Sequence, residues 1–235
     1  MIFCVSSAVL RAAVARDVFL RCAGMIAAVL IFPAAAETVA LLQGGDLSAW
    51  EYRKFDGVAE TRYETRRDES LGAAAVFAVS DEGASGYVRQ IALDLQKTPW
   101  LHLQWRVDAA GSGYDERTAD GDDFALRVYF AARDGLQYQS LSLVRAQGRR
   151  GDSWRSPYSQ WFNDLRIYAV AGGGAAAGEW RVSAVNLAAL WQELFGDAPR
   201  VLGLVGLMTD GDSAGVAMRA RYGAIVFSDS PESPF

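Results

Sequence analysis

The chain has 235 residues, half of them apolar, and a formal charge of −5. That length suits one β-rich domain with an N-terminal addition. An acidic balance with no Lys/Arg block excludes a role on nucleic acid, whose phosphates demand clustered cations.

Residues 1–36 read as an export signal. Arg11, Arg16 and Arg21 form a basic start, Ala23 to Phe32 an apolar run, and Ala34-Ala35-Ala36 a small-residue cleavage pattern. The apolar run falls short of the roughly 20 residues that span a bilayer. Cleavage near Ala36 leaves residues 37–235 as a single domain with 20 basic against 27 acidic residues. Both cysteines, Cys4 and Cys22, lie in the leader, so the mature chain has no disulfide, thiol nucleophile or zinc-thiolate site. An acidic, cysteine-free exported chain with no membrane span points to the periplasm.

Strand patterns then follow one another: Trp50 to Arg53, Thr61 to Arg67, Ala73 to Ser80 and Ser85 to Leu93, punctuated by Asp56-Gly57, Asp68-Glu69-Ser70 and Asp81-Glu82-Gly83. In Trp100 to Asp108, Leu101, Leu103, Trp105 and Val107 share a face; Trp100, His102, Gln104 and Arg106 take the other. The acidic turn Asp120 to Asp123 runs into a strand at 124–131, with Phe124, Leu126, Val128 and Phe130 facing the core. Gln137 to Ala146 continues the meander. The aromatic connection Gln147 to Asn163 exceeds the usual loop length, which marks it as functional or mobile. Leu165 to Val170 and Glu179 to Val185 are strands. Asn186 caps a helix, Leu187 to Phe195, and Gly196 ends it. Arg200 to Met208 is a buried strand, a second acidic turn carries Asp210 and Asp212, and Ala217 to Phe227 closes the domain. Ten or eleven short strands and one helix predict an all-β sandwich of jelly-roll type.

Three ordered blocks, Leu101-His102-Leu103-Gln104-Trp105-Arg106-Val107, Gly121-Asp122-Asp123-Phe124 with Arg127-Val128-Tyr129, and Leu207-Met208-Thr209-Asp210-Gly211-Asp212, resemble the exported bacterial domain-of-unknown-function family 3047. Its members carry an "L-x-W-x-W-x-V … GDDF-x-x-R-x-Y … MTDTDN" progression. Leu103 replaces a second Trp, Ser213 an Asn, and Leu190 an Asp near the helix. The resemblance spans roughly Trp50 to Phe227 and implies a galactose-binding-like jelly roll; it implies no activity.

The candidate site joins polar-face residues to the two acidic turns: Arg106, Arg127, Tyr129 and Tyr168 with Asp122, Asp123, Asp210 and Asp212. Planar Arg and Tyr groups along neighbouring strands would form a groove for a saccharide or another cell-envelope ligand. The competing explanation of that pattern is a solvated sheet face with cross-strand Arg–Tyr pairs. The carboxylates are open to three roles: turn formers, a salt-bridged site with Arg127 or Arg219, or oxygen ligands, with Asp122, Asp210 and Asp212 the set for calcium. Neither turn has the ligand spacing of an EF-hand. His102 is the only histidine and no Gly-x-Ser-x-Gly elbow accompanies it, which disfavours a serine triad. The leading expectation is a non-catalytic binding protein without an obligate cofactor. The alternatives are a glycan hydrolase using Asp122, Asp123, Asp210 or Asp212 as its acids, and a structural envelope partner.

Overall fold

A computed structural model describes residues 37–235; the expected leader lies outside the described residues. Among the described residues, thirteen strands form two sheets. The first sheet holds β1 (Thr38–Leu42), β3 (Arg62–Asp68), β4 (Ala73–Asp81), β6 (Trp100–Ala109), β11 (Arg181–Asn186) and β13 (Ala217–Ser228). Its order is β11-β6-β13-β4-β3, and β1 pairs with the C-terminal part of β13. The second holds β2 (Glu51–Lys54), β5 (Ala84–Asp94), β7 (Arg127–Asp134), β8 (Gln137–Arg145), β9 (Ser153–Arg155), β10 (Asn163–Ala171) and β12 (Val201–Asp210), in the order β2-β5-β12-β7-β8-β10-β9. All its pairings are antiparallel except β8 with β10.

The core lies between the sheets. Leu101, Leu103, Trp105 and Val107 of β6 are buried, as their period of two requires. They share one apolar cluster with Val128 and Phe130 of β7, Leu141 and Leu143 of β8, and Val205 and Leu207 of β12. Phe130 meets Phe227 edge to face at 5.5 Å. A helix, α1 (Leu187–Phe195), turns Leu187, Leu190 and Trp191 into that core. The Asn186 side chain accepts the Ala189 N–H at its start, and Gly196 adopts φ 89° at its end.

Two expectations need correction. The strand at 124–131 begins only at Arg127, because residues 122–124 are irregular and the chain bends at Ala125 and Leu126. Phe124 therefore leaves the face of Val128 and Phe130 and joins Val144, Ala146, Ile167, Ala169 and Trp154 in a separate outer cluster. The stretch 147–163 is not one long loop: β9 pairs with β10 within it, and Trp154 packs on Phe124 at 6.2 Å. His102, on the opposite face of β6 from Leu101 and Leu103, is buried and hydrogen bonded, with Nε2 2.8 Å from Ser228 Oγ.

Candidate functional site

The two acidic turns meet over Arg127. Asp122 lies just past a single 3-10 turn, Asp210 ends β12, and Arg127 opens β7. Arg127 Nη2 donates to Asp210 Oδ2 at 2.8 Å and to the Asp122 carbonyl at 2.7 Å; Nη1 reaches Asp122 Oδ2 at 3.4 Å. All three side chains are almost fully buried, and the guanidinium stacks 4.6 Å from the centre of the Phe124 ring. Asp123, also buried, accepts the N–H groups of Ser213 (3.2 Å) and Ala214 (2.6 Å). Loop 120–124 and turn 210–215 are thereby stitched together through charge.

The protonation directions follow from burial. Desolvation pushes the Asp210 carboxyl upward; Arg127 pulls it back, and Asp122 and Asp123 push it further up. Burial raises Asp122 in the same way, again opposed by Arg127. Desolvation would lower Arg127, but Asp210 and Asp122 outweigh it and hold the guanidinium charged.

The expected Arg/Tyr groove does not form, because its members occupy separate surfaces. Arg106 belongs to the other sheet, where it pairs with Asp108 at 2.6 Å beside Arg221 and Asp68. Tyr168 lines a cavity of about 260 Å³ against α1 with Val170, Asn186 and Leu190. Tyr129 does lie on the Arg127 side of β7, but its ring lies flat over Gly206 of β12 and fills the space a side chain would take. Burial pushes its hydroxyl up to about 12. Strand neighbours decide this, and alternation along one strand does not reveal them.

A second cluster had no signal in the sequence. Tyr114, Asp115, Glu116 and Arg117, on the segment before β7, face Ala146, Gln147, Gly148, Asp152 and Trp154 across a cleft of about 190 Å³. Glu116 is 8% exposed, and both its oxygens accept the Gln147 N–H, at 2.8 and 2.9 Å. Burial pushes its carboxyl up to about 7, against the lowering effect of Gln147 and Arg145. The Asp152 carboxylate accepts the Arg149 N–H at 3.0 Å and lies 4.0 Å from Arg117 and 3.8 Å from the Arg149 guanidinium. The Trp154 indole N–H is buried without an acceptor. Carboxyls held in unlike environments within one cleft are the prerequisite for acid–base chemistry.

The three blocks that build β6, the Arg127 knot and the end of β12 fall within a single family model. That model, described as "Protein of unknown function (DUF3047)", matches residues 48–226. The chain belongs to the DUF3047 family.

No curated protein matches this DUF3047 chain. Several solved structures share its outline. One is a meso-active, thermo-stable cellulase derived from the Cel12A cellulase of Rhodothermus marinus, 10% identical, covering 82% of this chain and 100% of its own, with a TM-score of 0.43. Another is the xyloglucanase domain of NopAA, a type three effector from Sinorhizobium fredii, 8% identical, covering 83% and 98%, TM-score 0.46. The Trichoderma harzianum endoglucanase 3 from family GH12 is 7% identical, covering 83% and 98%, TM-score 0.41. The expectation of a non-catalytic binding protein finds no support among these structures, whose names are those of a cellulase, a xyloglucanase domain and an endoglucanase.

Proposed function

We propose that this DUF3047 protein is an exported hydrolase acting on a glycan of the cell envelope, with its chemistry in the Glu116 cleft. The observation that carries the proposal is the pairing there of a carboxyl raised to about 7 with a second carboxylate flanked by cations. Glycoside cleavage needs this division of labour: a protonated acid for the leaving oxygen and an anion for the anomeric centre or its attacking water. In this reading Glu116, whose carboxyl burial raises to about 7, acts as the acid, and Asp152, flanked by Arg117 and Arg149, is its partner. The unsatisfied Trp154 N–H supplies a donor for a sugar hydroxyl. The acids expected from the sequence are engaged differently: Asp122 and Asp210 are paired with the Arg127 guanidinium, and Asp123 ties down the 210–215 turn.

The test is release of reducing ends from a panel of soluble envelope and plant polysaccharides by the chain from residue 37. One substrate should be turned over, and Glu116→Gln should slow it by about 10²–10⁴-fold, the usual contribution of a positioned acid. Absence of cleavage on every glycan, or a Glu116→Gln variant as fast as the parent, refutes the proposal.

A further inference from the structure

Four aspartates crowd one end of the sandwich around one guanidinium. We propose that Asp123, Asp210 and Asp212 bind a single calcium ion, with Asp122 beside them. One ligand atom from each of the three carboxylates lies within 4.8 Å of the other two. Oxygens held around calcium at about 2.3–2.6 Å are at most about 5 Å apart, so the spacing fits without rearrangement. The donor set is entirely hard oxygen, which favours calcium over a transition metal.

A second observation is independent of that clustering. Asp122 Oδ1 and Asp210 Oδ1 are buried and have no hydrogen-bond partner, in side chains 4% and 2% exposed. Both residues already use Oδ2 on Arg127. An unpaired carboxylate oxygen away from water is costly, and a cation beside it removes the cost. Arg127 brings one positive charge to a cluster of four carboxyl groups, and a divalent ion would add the charge that favours their anionic forms. Asp123 is already aimed by the Ser213 and Ala214 N–H groups, and each of its oxygens retains a lone pair. Asp212 is exposed; it provides the entry side, where water completes the shell of six to eight oxygens that calcium takes. The sequence-based set of Asp122, Asp210 and Asp212 thus changes by one member: Asp123 joins the ligating trio. The ion would tie loop 120–124 to turn 210–215. This role does not depend on the Glu116 cleft.

The experiment is calcium titration of the EDTA-treated chain from residue 37, read by thermal melting and by calorimetry, with magnesium as the comparison. Calcium should raise the melting temperature, magnesium less so. Asp212→Asn should melt like the parent in EDTA and bind calcium at least about tenfold more weakly, because its carboxylate contributes charge rather than packing. Either of two results overturns the site: no calcium response up to about 10 mM, beyond the weakest extracellular calcium modules, or equal affinity in Asp212→Asn and the parent. A larger response to magnesium than to calcium overturns the choice of ion. None of these results bears on glycan cleavage.

Discussion

Arg127→Met is the most informative perturbation of the fold. Methionine approximates the length of the arginine stem but carries no charge. The substitution leaves Asp210, 2% exposed, and Asp122, 4% exposed, without the guanidinium that lies 2.8 Å and 3.4 Å from their Oδ2 atoms. Removing one partner of a buried ion pair costs about 3–5 kcal/mol, since the orphaned charge must protonate or find water. In a domain of this size about 1 kcal/mol corresponds to roughly 2–4 °C, so the melting temperature should fall by roughly 6–20 °C. Urea unfolding in EDTA gives the free energy directly, and Asp210→Asn with the double variant completes a cycle. The two substitutions should be strongly non-additive, with the double variant more stable than the sum predicts. A loss below about 1 kcal/mol, the range of an exposed pair, or strict additivity would refute the keystone role.

Further outcomes follow from other parts of the molecule. In Asp68, Ser70, Arg221 and the Leu71 N–H overcome burial and lower the carboxyl below its ordinary value. Its stabilisation is therefore complete above about pH 4 and lost as acid protonates it. Asp68→Asn should cost about 1–3 kcal/mol at neutral pH, and the difference from the parent should vanish in acid unfolding curves. Glu116 behaves in the opposite sense: its folded value of about 7 lies above the unfolded value of about 4.3. The parent should lose stability as pH rises between those values, and denaturation of Glu116→Gln across that window should show a flatter profile. Gly206→Val should destabilise by about 1–3 kcal/mol through collision with the Tyr129 ring. Adding Tyr129→Ala should recover part of that loss in urea midpoints.

Local rules made much of the architecture legible. The alternation of Leu101, Leu103, Trp105 and Val107 places β6 correctly because a two-sided strand must bury one face. Asn186 and Gly196 mark the helix because capping is a matter of a few adjacent residues. The site was harder to read. Arg127 does lie opposite the core face of its strand, as its period requires, but the Asp210 that seals it arrives from 83 residues further on. Arg106 and Arg127 each lie opposite the apolar register of their own strand, but the connection between β6 and β7 crosses from one sheet to the other. Glu116 sits in a Gly/Ser/Asp-rich segment without periodicity. Its hydrogen-bond partner, Gln147, lies 31 residues away, and nothing near Glu116 in sequence announces that.

The position of β13 bears on how the chain is made. This last strand runs between β6 on one edge and β4 and β1 on the other. Until residues 217–228 emerge from the ribosome, β4 with β3 and β6 with β11 are two separate ribbons, each with a bare edge where β13 belongs. Completion of that sheet therefore waits on residues 217–228, and the pairings it closes join segments far apart in the chain, β1 with β13 above all. A chain lacking residues 217–228 would present unpaired edges to any neighbour able to add a strand.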